Sequence, residues 1–288
     1  MLSDIFISAP AKVNIGLNVL PKAQGEEYHR TESIFQAIDL CDELVIRKSE
    51  KKNFCSVKCD MFELPKQNTI TKAYGRFCEL SGSDVGVEVL LKKKITCGGG
   101  LGGGSSDAAS FIKAFATLID FDLTDGFADS VAEKVGSDVF FFIHNSLHEA
   151  SLVSGRGEVV KKINARHDFH FVLIFPEVFS STKEAYSLVD ESYKTSLKND
   201  CPLFDEYEKI YSSSVENWTF INSFTSVLTE KYPVIQNALQ DLKNHGALWS
   251  DMSGSGATVF GIFESKDSAK KAVAILQKKW RFCYYSGS

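Results

Sequence analysis

The chain has 288 residues, 44% hydrophobic and 24% charged, enough apolar material for a sizeable core in one large domain or two moderate ones. Its formal net charge is −5, with no basic block and no basic stripe interleaved with aromatics, so a nucleic-acid surface is not expected and an anionic ligand must be held by local groups. No apolar run is long enough to cross a bilayer, residues 1–4 lack the pattern of a signal peptide, and the seven cysteines are scattered and odd in number; a cytoplasmic protein with reduced thiols and no membrane partner is expected.

Alternating apolar residues predict strands over residues 5–8, 13–20, 34–38, 44–48 and 85–91, and helical periodicity predicts a helix over 69–80. In Pro10-Ala11-Lys12-Val13-Asn14 the lysine and the asparagine share one strand face, because side chains two apart do so. Lys12 is thereby suited to neutralise phosphate or to depress the pKa of a neighbouring acid, although a solvated strand lysine has the same pattern. The loop Gly25-Glu26-Glu27-Tyr28-His29 offers an aromatic ring and an imidazole, which on a surface loop alone mean little.

The segment Cys97-Gly98-Gly99-Gly100-Leu101-Gly102-Gly103-Gly104-Ser105-Ser106-Asp107 concentrates six glycines between a predicted strand and a predicted helix. That order suits a phosphate cradle, with converging N–H groups and the positive end of a helix dipole. Ser105, Ser106 and Asp107 read as the start of the helix, and Phe111, Ile112, Phe115, Leu118 and Ile119 follow at helical spacing. A Walker loop is excluded because Gly104 is followed by two serines rather than Lys-Ser. A dinucleotide fingerprint fits at Gly98, Gly100 and Gly103, yet Asp120 continues the helical pattern instead of ending a second strand.

A shorter helix is predicted over 127–135, and then Gly136-Ser137-Asp138-Val139 sets an acid directly before Phe140-Phe141-Phe142. An acid at the edge of a core is either useful there or a helix cap. A polar, basic tract at 161–168 is the best boundary, dividing the chain into 1–165 and 166–288. Beyond it come a buried strand over 169–175, helices over 182–189, 219–228 and 234–243, a strand over 258–263, a helix over 266–278 and a last strand over 282–285. Met252-Ser253-Gly254-Ser255-Gly256-Ala257 enters the strand at 258 as a tight turn whose glycines would let a second backbone segment approach phosphates. Strands and helices mix without strict alternation, which predicts an α+β architecture.

Taken in order, Pro10 to Asn14, Gly100-Leu101-Gly102-Gly103-Gly104-Ser105-Ser106-Asp107-Ala108-Ala109 and Met252 to Phe260 resemble the three motifs of the GHMP kinase superfamily. Within it the chain is most similar to the branch that phosphorylates the 2-hydroxyl of 4-diphosphocytidyl-2-C-methyl-D-erythritol in the non-mevalonate isoprenoid pathway. The residues that carry this are Tyr28-His29 followed by Glu32 to Leu40, then Gly136 to Val139, Ser154-Gly155-Arg156-Gly157-Glu158 and Ser181 to Tyr186. The chain departs from the pattern at Glu26-Glu27, at Phe140 and over His144 to Glu149.

The resemblance implies a two-subdomain fold, an N-terminal ribosomal-S5-like half and a C-terminal ferredoxin-like half, that uses ATP with Mg2+ as a monomer or a homodimer. It also implies roles. Asp138 would be the base for the acceptor hydroxyl, and Lys12 would keep it ionised. Gly98, Gly99, Gly100, Leu101, Gly102, Gly103 and Gly104 would hold the triphosphate, with Ser105 and Ser106 touching phosphate or magnesium and Asn68 and Lys94 on the adenine side. Tyr28 and Tyr186 would stack on cytosine, His29 would read its edge, and Asn14 and Thr182 would lie near the acceptor. A homoserine- or mevalonate-type kinase and a non-catalytic nucleotide-binding module are the alternatives, separated by the cytidine pocket and by the presence of both Lys12 and Asp138.

Overall fold

A computed structural model describes residues 4–194 and 201–287. In chain order the elements are β1 (Ile5–Val19), β2 (Thr31–Lys48), β3 (Cys55–Cys59), α1 (Thr69–Ser81), β4 (Val87–Lys92), α2 (Gly103–Leu118), α3 (Asp125–Val135), α4 (Asp138–His144), β5 (Ala150–Ser154), β6 (Val159–Ile163) and β7 (His170–Phe175). They continue as α5 (Thr182–Lys194), α6 (Tyr207–Tyr211), α7 (Ser223–Lys231), α8 (Pro233–Asn244), β8 (Trp249–Met252), β9 (Val259–Phe263), α9 (Lys266–Leu276) and β10 (Phe282–Gly287). The architecture is α+β with two sheets.

Two pairs of predicted strands are single strands. Pro10 lies inside β1 because its fixed φ suits an extended chain and only one donor is lost. The polar stretch around Asp42 lies inside β2 because that buried carboxylate is fully used: it accepts from Lys93 Nζ at 2.5 Å and from the backbone N–H groups of Lys94 and Ile95 at 2.5 and 2.9 Å. The basic tract at 161–168 opens as β6, an edge strand whose exposed lysines discourage further pairing.

By internal contacts the chain forms two compact units. One takes in the chain to Ala11, Leu40–Cys97 and Gly102–Ser146; the other takes in Lys12–Asp39, Gly98–Leu101 and the chain from Leu147. In the first, Glu43 to Lys48 of β2 pair antiparallel with β4, which pairs parallel with β3, and α1 to α4 supply a core of Ile70, Phe77, Phe111, Phe115 and Phe141. In the second, Ser33 to Gln36 of β2 pair with β5, and β5 with β6. A separate antiparallel sheet in the order β10-β7-β9-β8 carries α5, α7, α8 and α9 through Val172, Ile174, Phe224, Leu239 and Leu276. β7 and β9 read as continuous apolar runs because both are central in that sheet and buried almost throughout.

Candidate active site

Two glycine turns of the second unit lie back to back. Gly98 and Gly100 have φ of +68° and +78°, and Gly254 and Gly256 of +58° and +84°. A Cβ on Gly100 would fall 1.9 Å from the carbonyl oxygen of Ser253, so glycine is required there by the approach of another backbone. The turns are fastened by Ser253 Oγ donating to Gly100 O at 3.0 Å and by Thr258 N–H donating to Gly99 O at 3.2 Å. Asn222 holds the later turn from behind, its amide donating to Met252 O at 2.8 Å and Gly254 O at 2.9 Å.

Lys12 and Asn14 sit on this platform on one face of β1, as the strand period requires. Lys12 is 3% exposed; its ammonium donates to Asn14 Oδ1 at 2.5 Å and Gly100 O at 3.0 Å and lies 4.5 Å from the Phe35 ring centre. Asn14 donates to Ser33 Oγ at 3.0 Å, and its backbone N–H points to Ser253 Oγ at 3.3 Å. These oxygens and the ring face fix the position of the buried ammonium.

Behind this turn Asp251, the penultimate residue of β8, is buried and accepts from Thr225 Oγ1 at 2.5 Å and its neighbour's N–H at 2.7 Å. Burial pushes its carboxyl up to about 7 against the pull of those hydrogen bonds. The native state therefore holds a proton that the unfolded chain releases above its ordinary value of 3.8, so this group's stabilisation is complete below that value and is lost as the pH rises through about 7. One proton sets a ceiling of about 1.4 kcal/mol per pH unit. Urea unfolding between pH 4 and pH 8 should show a falling stability whose slope becomes shallower in Asp251→Asn; an unchanged slope would show that Asp251 does not contribute to it.

In the first unit the remainder of the glycine loop caps α2. Gly102, at φ +71°, is the cap residue and offers no side chain to the helix N–H groups. The helix starts two residues earlier than the serines suggest, because the N–H groups of Ser105 and Ser106 both close on Gly102 O, at 3.0 and 2.9 Å. Ser105 is thus in the first turn, while Ser106 is buried with its hydroxyl unpartnered. An uncapped helix start beside an orphaned hydroxyl fits phosphate oxygens. Gly104 is exposed, and a Cβ there would meet only Thr69 at 3.6 Å; one on Gly103 would meet Ile95 at 2.9 Å, so Gly103 serves packing.

Asp138 is the first residue of α4, half-buried, with Val139, Phe141 and Phe142 behind it in the core. It is not a helix cap: Ser137 occupies that position. Asn68 caps α1, its Oδ1 accepting from Thr71 N–H at 3.0 Å, and Lys94 pairs with Glu43 at 2.6 Å in solvent. No group of three His, Cys, Asp or Glu residues among the described residues is arranged to hold a metal ion.

Lys93, not Lys94, is the buried lysine of its run. Its ammonium bridges Asp42 at 2.5 Å and Asp107 at 2.8 Å, tying β2 and the end of β4 to α2. Burial opposes the ammonium, but Asp107 and Asp42 outweigh it and hold the Lys93 pKa up; burial pushes Asp107 up to about 7. Strand alternation was the signal that would have found it: Leu91 and Lys93 point inward, Lys92 and Lys94 outward.

Of the residues expected on the acceptor side, the second unit brings His29 and Tyr186 together, their rings stacked at 5.1 Å and 16°. Tyr186 also meets Phe224 edge-on at 5.0 Å. His29 is buried; its Nδ1 faces Leu20 O at 2.8 Å and must carry the hydrogen, since a carbonyl only accepts. Its Nε2 lies 3.0 Å from Asp190 Oδ1, near enough for an ion pair but off the line of a directed hydrogen bond. Tyr28 is 52% exposed and carries the guanidinium of Arg156 at 4.2 Å, on the wall of an open cavity of about 630 Å³. Thr182 meets Ser255 of the later glycine turn, hydroxyl to hydroxyl at 3.2 Å.

Residues 68–146 match the GHMP kinases N terminal domain, and residues 206–281 match the GHMP kinases C terminal family. The chain is 32% identical to a 4-diphosphocytidyl-2-C-methyl-D-erythritol kinase of Treponema pallidum (strain Nichols), over 98% of each chain. It is 35% identical to the kinase of that name from Thermodesulfovibrio yellowstonii, over 94% of this chain and 93% of the relative. A solved 4-(cytidine 5'-diphospho)-2C-methyl-D-erythritol kinase superposes with a TM-score of 0.81 at 26% identity, covering 99% of this chain and all of the other. A homoserine kinase from Cytophaga hutchinsonii shares the fold at 20% identity, with a TM-score of 0.67 over 98% of this chain and 94% of its own.

Proposed function

We propose, from the premise that the chain belongs to the 4-diphosphocytidyl-2-C-methyl-D-erythritol kinases of the GHMP kinase family, that it transfers the γ-phosphoryl group of ATP to the 2-hydroxyl of 4-diphosphocytidyl-2-C-methyl-D-erythritol. The observation that carries the substrate is identity of 32% and 35% to kinases of that name over almost the whole chain. The acceptor oxygen forms a bond to the γ-phosphorus as the bond from that phosphorus to the β–γ bridging oxygen breaks, and ADP leaves. Such a transfer asks the protein mainly for in-line positioning and charge neutralisation.

Asp138 takes the proton from the acceptor hydroxyl, and Lys12 supplies positive charge to the transferring group. Asn14 and Gly100 orient the Lys12 ammonium, an arrangement supported by its short contacts to both. The N–H groups at the start of α2 and the chain from Gly98 to Gly104 receive the triphosphate, with Asn68 and Lys94 toward the adenine. Magnesium, when bound, neutralises triphosphate charge, and Ser105 and Ser106 are the hydroxyls proposed to face it; the orphaned Ser106 Oγ supports that choice. Tyr28, His29, Tyr186 and Thr182 receive the cytidyl acceptor. The halves 1–165 and 166–288 and a cytoplasmic location belong to the same reading; no helix among the described residues is long and apolar enough to cross a membrane.

The decisive assay is ATP consumption by the purified protein with 4-diphosphocytidyl-2-C-methyl-D-erythritol, homoserine or mevalonate. Turnover with the first alone is the expected result; turnover with either of the others, or with none, overturns the assignment. Tyr28→Ala, at an exposed ring, should raise the acceptor KM roughly fivefold to a hundredfold at unchanged ATP KM, the range of a lost base–aromatic stack. An unchanged acceptor KM would remove Tyr28 from the cytidyl site.

A further inference from the structure

The turn between β5 and β6 is built to present one side chain. Gly155 and Gly157, at φ +73° and +114°, flank Arg156, and the turn closes with Gly157 N–H donating to Ser154 O at 3.1 Å. Two further contacts hold it: Thr31 N–H donates to Gly155 O at 2.7 Å, and the Glu158 carboxylate accepts the backbone N–H of Arg156 at 2.6 Å. A Cβ on Gly155 would sit 2.7 Å from that carboxylate, so the glycine leaves room for Glu158 to brace the turn.

The guanidinium itself has no carboxylate at ion-pair distance among the described residues. Glu158 is spent on the backbone, and the other arginine on the cavity wall, Arg30, is paired with Glu26. Arg156 rests instead on the face of Tyr28, with both side chains on the wall of the same cavity. A guanidinium over an exposed ring is a weak contact, whereas the same group can hold a phosphate through two parallel charge-assisted hydrogen bonds. A planar base and a planar guanidinium cannot occupy one face of one ring together.

We propose that Arg156 is a specificity residue for the diphosphate of the acceptor: it covers Tyr28 in the free protein and moves onto the diphosphate bridge as the base takes the ring. This rests on the cytidyl reading above, and the test is a binding experiment that does not depend on turnover. Calorimetry is run with CDP and with cytidine on the wild type, Arg156→Gln and Arg156→Lys. In the wild type CDP should bind more tightly than cytidine; Arg156→Gln should weaken CDP roughly tenfold to a hundredfold, the range of charged hydrogen bonds, and cytidine by less than about twofold. Arg156→Lys, which keeps the charge but not the fork, should fall between.

Equal losses for CDP and cytidine would show that Arg156 only steadies Tyr28 and would overturn the proposal. An unchanged CDP affinity in Arg156→Gln would overturn it too. Should the wild type bind CDP and cytidine equally, the diphosphate role is again lost, while acceptor-dependent ATP consumption still decides the proposed function by itself. With the acceptor as substrate, Arg156→Gln should show the change in KM and leave kcat and the ATP KM within about twofold, because the residue faces the diphosphate rather than the reacting hydroxyl.

Discussion

Asp138→Asn is expected to lower turnover by about 10²- to 10⁴-fold, the usual contribution of a positioned general base, while leaving thermal stability and ATP affinity close to those of the wild type. The change removes the proton acceptor and keeps the shape. Stability should survive because Asp138 is half-buried at the first turn of α4 and the core is made by Val139, Phe141 and Phe142, which the substitution does not touch. Single-turnover kinetics with the acceptor, beside a melting curve and calorimetry with ATP, separate these effects. A loss below about tenfold, or a loss matched by a lower melting temperature, would remove Asp138 from the base's role.

Gly100→Ala should be among the most damaging single-atom additions. The new Cβ would lie 1.9 Å from Ser253 O, and the backbone at φ +78° disfavours any side chain, so overpacking and left-handed strain add to about 2–5 kcal/mol. The two glycine turns must part to admit it, and with them goes the Gly100 carbonyl that Lys12 and Ser253 both hold. Gly104→Ala is the control: its Cβ meets only Thr69 at 3.6 Å in a helical turn, so the fold should be retained or slightly strengthened while the added methyl stands in the way of phosphate. Denaturant melts should thus separate the two variants, and ATP calorimetry should show both weakened. Normal ATP binding by Gly104→Ala would take the α2 start out of the triphosphate site; a normal melt for Gly100→Ala would show that the turns are not in register contact.

Periodicity located the long amphipathic helices well, the one at 69–80 being α1 and that at 234–243 α8, and the unbroken apolar run at 169–175 is β7. Each is defined by its own residues and needs only something apolar to face. β3, β5, β6 and β8 were not legible: with five residues or fewer and no unbroken apolar run, they exist because a neighbouring strand supplies their hydrogen bonds, whereas the equally short β9 was marked by its continuous apolar run.

At the candidate site the local chemistry was determined by sequence: glycines before a helix, Lys12 and Asn14 on one strand face, and Asp138 ahead of an apolar run. What only tertiary structure decided is why each residue must be what it is. Gly100 is glycine because Ser253, more than 150 residues later, lies against it. Lys93 is buried because Asp42 and Asp107, from two other segments, balance its charge. Tyr28 and Tyr186, read alike as stacking rings, differ in that one is covered by Arg156 and the other rests on His29. Backbone period and residue type act within a few positions along the chain, whereas steric contact, desolvation and charge pairing act between groups that folding alone brings together.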